Sequence, residues 1–150
     1  MAKGAAIDGG ARFDVVIFAE VVEHLHIPAD AALLALREVV KDGGWIIVQT
    51  PNAAELMKRV ALLRGRNPYE TLRLNAIEPG HFREYTGAEL RAAVTAAGFV
   101  VVRHDFLDYF QRRPVTGLHP MRWLFERLRP LVPEFREGQT IIAQAVAQSA

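Results

Sequence analysis

The stretch FDVVIFAEVVEHLH, Phe13 to His26, decides how the rest of the chain is read. Phe13 to Phe18 is apolar except for Asp14, so both alternating faces are apolar. That pattern predicts a strand buried on both sides, as in a parallel sheet with helices above and below. Glu20, Glu23, His24 and His26 follow at once. They fall at the carboxyl end of the strand, where open α/β sheets bind ligands. The apolar part buries the strand, and the polar part is expected to form one lip of a crevice.

Outward from this stretch, strands and helices alternate. Ala29 to Lys41 has helical spacing, with Leu33, Leu36 and Val40 on one face, Asp30 as a cap and Gly43-Gly44 as the stop. WIIVQ, Trp45 to Gln49, reads as a second buried strand ending at Thr50-Pro51-Asn52. Asn52 and Glu55 have the spacing of a helix-start capping box. The helix after them is expected to bury Leu56, Val60 and Leu63 and to expose Lys58, Arg59, Arg64 and Arg66. Residues 65 to 84 carry no clear period, and long loops in compact domains are often functional. Thr86 and Glu89 form a second capping box, opening a helix through Leu90, Ala93, Val94 and Ala97 that Gly98 closes. Phe99 to Arg103 reads as a third strand, Pro120 to Arg129 as a proline-bounded helix, and Gln139 to Val146 as a fourth strand. The order predicts an α/β domain of three layers with a mainly parallel sheet.

The totals fit this picture. A chain of 150 residues suits one domain, and 51% apolar with 23% charged residues is ordinary for a soluble globular protein. A formal net charge of +1 creates no strong field toward nucleic acid or an anionic membrane, and neither partner is expected. No apolar run approaches the roughly 18–20 residues of a membrane span. The absence of cysteine excludes disulfides and thiolate metal sites and fits a reducing compartment, so a cytoplasmic protein is expected. The basic side of residues 58 to 66 reads as a solvated helix face, since no aromatic residues interleave it.

The candidate site lies at the strand ends. Glu20 there has a solvated carboxylate as its competing reading, and His24 and His26 have surface-turn residues as theirs. His81, Arg83 and Tyr85 sit in the long segment after the second helix. No metal site is expected: Glu23, His24 and His26 are suitable types, but adjacent loop residues rarely impose a complete ligand set. Ser149, the only serine, lies outside any nucleophile elbow, which leaves a serine hydrolase without support.

FDVVIFAEVVEHLH, KDGGWIIVQTPN and GHFREYTGAELRAAVTAAGF, in this order, resemble the C-terminal half of class I S-adenosylmethionine-dependent methyltransferases. The nearest likeness is to the small-molecule branch that includes ubiquinone-biosynthesis O-methyltransferases. The resemblance is best over residues 12–104, with 1–11 as a lead-in and 105–150 supplying a C-terminal helix and the final strand. It implies a Rossmann-like methyltransferase sheet in which the four strands match family strands 4, 5, 6 and 7, in the spatial order 4-5-7-6, with the first three absent. It further implies that S-adenosylmethionine is the cofactor, with Ala19 and Glu20 against its methionyl part. Glu23 would border the site, with Pro51, Asn52, Tyr69 and Arg83 walling a small-molecule acceptor pocket. His24 and His81 are the candidates for a catalytic base, because an imidazole titrates near neutrality.

The family's acidic-Gly-x-Gly cofactor segment does not occur in the chain. A partial methyltransferase domain, inactive alone, is therefore expected, as a fragment, as one half beside an N-terminal partner, or as a homodimer paired through the strand edge at 13–18. The rival is a non-catalytic interaction module that uses the same edge.

Overall fold

The computed structural model describes residues 10–70, 72–73, 80–109, 127 and 131–147. The helix expected at Pro120 to Arg129 lies outside the described residues, Arg127 excepted. Four strands and three α-helices are formed among the described residues: β1 (Phe13–Ala19), α1 (Ala29–Val39), β2 (Val40–Pro51), α2 (Leu56–Leu63), α3 (Gly87–Ala96), β3 (Phe99–Leu107) and β4 (Gly138–Ala145). One-turn 3₁₀ helices occur at Val22–His24 and Pro133–Phe135. The sheet order is β1-β2-β4-β3, with β1 and β2 parallel and β4 antiparallel to both its neighbours. This is the 4-5-7-6 arrangement with its last strand inserted backwards.

The core lies on one face of the sheet. Val16 and Phe18 of β1, Ile46 and Val48 of β2, Ile141 and Ala143 of β4, and Phe99 of β3 point toward Leu33 of α1 and Leu90 and Val94 of α3. The opposite alternation of β1 is open: Val15 is 51% and Ile17 70% exposed. The expectation that Phe13 to Phe18 is buried on both sides is thus corrected. An apolar alternation reports what a face can cover, not that anything covers it.

Several boundaries move for identifiable reasons. Asp30 sits inside the first turn of α1, and Pro28 occupies the cap without a side-chain bond. The Gly43-Gly44 pair does not stop α1, because the chain enters β2 directly at Val40. Arg37, buried near the end of α1, donates to the Val40 and Val146 carbonyls and pairs with Asp42, tying the helix to the sheet. The Thr86–Glu89 capping box forms as the spacing predicts, and Gly98 (φ +86°) closes the turn after α3.

The Asn52–Glu55 capping box does not form. Glu55 takes the cap position of α2 and its side chain makes no capping hydrogen bond. Asn52 is fully buried; its amide donates to the Glu134 carbonyl (2.7 Å) and the Arg136 carbonyl (3.0 Å), and its Oδ1 accepts from Ala54 N–H (2.9 Å). Nor is α2 buried along Leu56, Val60 and Leu63: Leu63 is 87% exposed, and the one buried residue of the helix is Lys58.

Candidate functional site

The carboxyl end of β1 turns sharply. Glu20 has φ +53°, the only non-glycine residue with positive φ among the described residues. That conformation costs an L-residue about 1–2 kcal/mol, and such strain tends to collect at functional sites. Its N–H still donates to the Gln49 carbonyl (2.9 Å), so the parallel ladder runs to the bend and then breaks. The 3₁₀ turn that follows swings Glu23 under the sheet edge, where it is fully buried. Thr50 Oγ1, at the end of β2, donates to Glu23 Oε2 (2.9 Å).

The segment around residue 81 is docked onto this turn through the backbone. Phe82 N–H and Arg83 N–H both donate to the Glu23 carbonyl, at 2.7 and 3.2 Å. His24 Nδ1 lies 3.0 Å from the Gly80 carbonyl, and the His24 and His81 rings meet edge to face with centroids 4.9 Å apart. Glu23, His24 and His81 each bring one ligand atom within 4.8 Å of the others. The sequence set Glu23, His24 and His26 is therefore not the one the fold assembles. His26 instead packs against the Phe82 ring, 3.5 Å between centroids. The third group arrives from residue 81, too far along the chain for neighbour spacing to reveal.

Electrostatically the turn is short of cations. Glu20 Oε1 and Glu23 Oε1 are buried and accept no hydrogen bond among the described residues. Burial, reinforced by the neighbouring Glu23 carboxylate, pushes the Glu20 carboxyl above its ordinary range, against a hydrogen bond from Gln49 that favours the charged form.

Beside this turn lies a cavity of about 440 Å³, lined in part by Tyr69, His81, Phe82, Arg83, Glu84 and Glu89. Of the residues expected at the site, Tyr69, His81 and Arg83 line it. Tyr69 is held by its hydroxyl on the Ala53 carbonyl (3.1 Å), and Arg83 by Glu89 (2.8 Å) and the Tyr85 ring (5.1 Å). Ala19 is the last residue of β1, and Pro51 the last of β2. Asn52 does not face the cavity, because its amide is committed to the 134–136 turn. Lys58 and Glu84 join the site without a local sequence pattern that marks them. The composition of residues 58 to 66 predicts a solvated Lys58, yet its side chain is 8% exposed and pairs with Glu84, 6% exposed. No sequence signal marks it, because the apolar stripe of Leu56, Val60 and Leu63 places Lys58 on the opposite face of the helix.

A sheet with one parallel pair, an inserted antiparallel last strand, flanking helices and polar residues at its strand ends defines a mixed α/β domain. A methyltransferase-domain family matches residues 2–104, and the chain belongs to that family. No curated protein matches the chain. Among solved structures it is similar to an S-adenosylmethionine-dependent methyltransferase from Methanosarcina mazei (TM-score 0.60, 15% identity, covering 92% of this chain and 61% of that one). It is also similar to one from Clostridium acetobutylicum (TM-score 0.57, 12% identity, 92% and 60%) and one from Archaeoglobus fulgidus (TM-score 0.51, 19% identity, 89% and 59%). The chain thus spans about three-fifths of the length of these relatives. At such identities the likeness establishes the fold. No helix among the described residues is long and apolar enough to cross a membrane.

Proposed function

We propose that this chain contributes to S-adenosylmethionine-dependent methyl transfer to a small-molecule acceptor, as part of a larger cofactor site and without activity alone. The observation that carries this reading is the convergence of strained Glu20, buried Glu23 and two imidazoles beside one cavity at the sheet's carboxyl edge. The cofactor supplies a methyl group already activated as a sulfonium. Protein residues then chiefly align the partners and exclude water, and alignment alone is worth on the order of 7–11 kcal/mol in favourable systems. Ala19 and Glu20 border the cofactor, and the orphaned Glu20 oxygen fits its cationic character. Tyr69 and Arg83 wall the acceptor pocket, while Pro51 and Asn52 support that wall from behind.

Calorimetry tests this. In the protein completed by a strand carrying an acidic-Gly-x-Gly segment, Glu20→Gln should weaken S-adenosylmethionine binding by about tenfold or more, the value of one hydrogen bond to a charged group. Unchanged affinity would remove Glu20 from the cofactor site. The isolated chain should show no binding heat.

Glu23, His24 and His81 also form a set of two imidazoles and one carboxylate, suited by donor type to a divalent cation with an open position. Such a cation would polarise an acceptor oxygen; without one, His24 or His81 serves as the base. Titration with Zn²⁺ should show one equivalent bound, lost in His24→Ala, His81→Ala and Glu23→Gln alike. Absence of binding by the folded chain would leave the imidazoles as bases only.

The exposed Val15 and Ile17 of β1, an edge strand among the described residues, favour one second reading, a non-catalytic module that pairs through this edge with a partner or a second copy. It predicts a defined complex by light scattering and no cofactor binding even in the completed protein.

A further inference from the structure

Lys58, Glu84 and His81 form a line that packing does not call for. Lys58 projects inward from α2, pairs with Glu84, donates to the Asn52 carbonyl (3.2 Å) and lies 5.9 Å from the Tyr69 ring centroid. The other oxygen of Glu84, Oε1, is 3.1 Å from His81 Nδ1. A buried ion pair is a poor source of stability, because an apolar pair of similar volume often serves as well or better. Its presence here calls for another reason.

The reason lies in the imidazole. A carboxylate only accepts hydrogen bonds, so Glu84, paired with Lys58, calls for the proton on His81 Nδ1 and, in the neutral imidazole, leaves Nε2 as the free nitrogen. His24 reaches the same state through the Gly80 backbone carbonyl, which cannot change its character. Among the described residues His81 has no such backbone partner. We propose that Glu84, anchored by Lys58, is a positioning residue that holds His81 in the Nδ1–H tautomer, with the Nε2 lone pair free for the site. Carboxylates that accept from the far nitrogen of a working histidine orient the ring and raise its basicity in other proteins. The inference rests on His81 being a working group, and it holds whether Nε2 acts as base or ligand.

The test removes both charges at once, so that neither is left buried alone. In Lys58→Met/Glu84→Met, ¹⁵N NMR of labelled histidine should show His81 passing from one tautomer to a mixture, while the melting temperature stays at or above that of the parent. A pair that does not hold the ring would leave the tautomer in place. Glu84→Gln, close in shape, is the second variant: its amide can present either oxygen or N–H₂ to the ring, so both tautomers should again appear. A His81 that remains wholly Nδ1–H in both variants overturns the proposal. A released tautomer together with full turnover in His81→Ala would instead overturn the role given to His81.

Discussion

On the function proposed above, His81→Ala, assayed for methyl transfer in a protein completed by an acidic-Gly-x-Gly strand, should lower turnover by about 10²- to 10⁴-fold, the usual contribution of a positioned acid or base. The side chain meets His24 edge to face and lines the cavity, yet it is partly exposed and contributes nothing to the apolar core. The variant should therefore fold, and circular dichroism should be unchanged. His24→Ala should behave in the same way, because its ring, held by the Gly80 carbonyl and the edge of His81, lies outside the apolar core. Single-turnover kinetics separates loss of chemistry from loss of binding. A chelator distinguishes the two roles: it abolishes turnover if the imidazoles hold a cation and leaves it intact if one of them is the base. Unchanged rates in both alanine variants would remove the imidazoles from the mechanism.

Asn52 carries the second large effect. Its side chain makes three hydrogen bonds while fully buried, and at about 0.5–1.5 kcal/mol each their loss in Asn52→Ala should cost roughly 1.5–4.5 kcal/mol in urea unfolding. Helix capping, the role its spacing predicts, would cost about 1 kcal/mol. Asn52→Asp separates the two more sharply. Aspartate caps as well as asparagine, so a capping role predicts little change. The buried role predicts a severe loss, because a carboxylate cannot donate to the Glu134 and Arg136 carbonyls and would repel them. A neutral Asn52→Asp would restore the cap.

Asn52 shows why part of this protein is legible without coordinates and part is not. Local chemistry reads well. The Thr86–Glu89 box and Gly98 bracket α3 because capping involves residues three apart and a single backbone angle. The strands are found because apolar runs have few other uses, and the Phe13–His26 stretch placed ionisable groups at a sheet end because strands must stop where their burial stops. The sheet order followed from resemblance, and the structure agrees with it.

Long-range pairings did not read. Asn52 and Glu55 have capping spacing, but the 134–136 turn offers Asn52 two buried carbonyls, and satisfying those outweighs one helix N–H. Lys58 has the composition of a solvated face, but Glu84 waits across the fold. Glu23 and His24 were legible as neighbours, whereas His81 joins them only because Phe82 and Arg83 donate to the Glu23 carbonyl.

The sequence by itself determined the element types, the helix start at Thr86 and the polar end of β1, since these depend on interactions within a few residues. Tertiary structure alone decided which face of β1 is covered, which histidine meets Glu23, and that a lysine is buried. Those outcomes depend on groups tens of residues apart whose meeting satisfies buried polar atoms that no local pattern records.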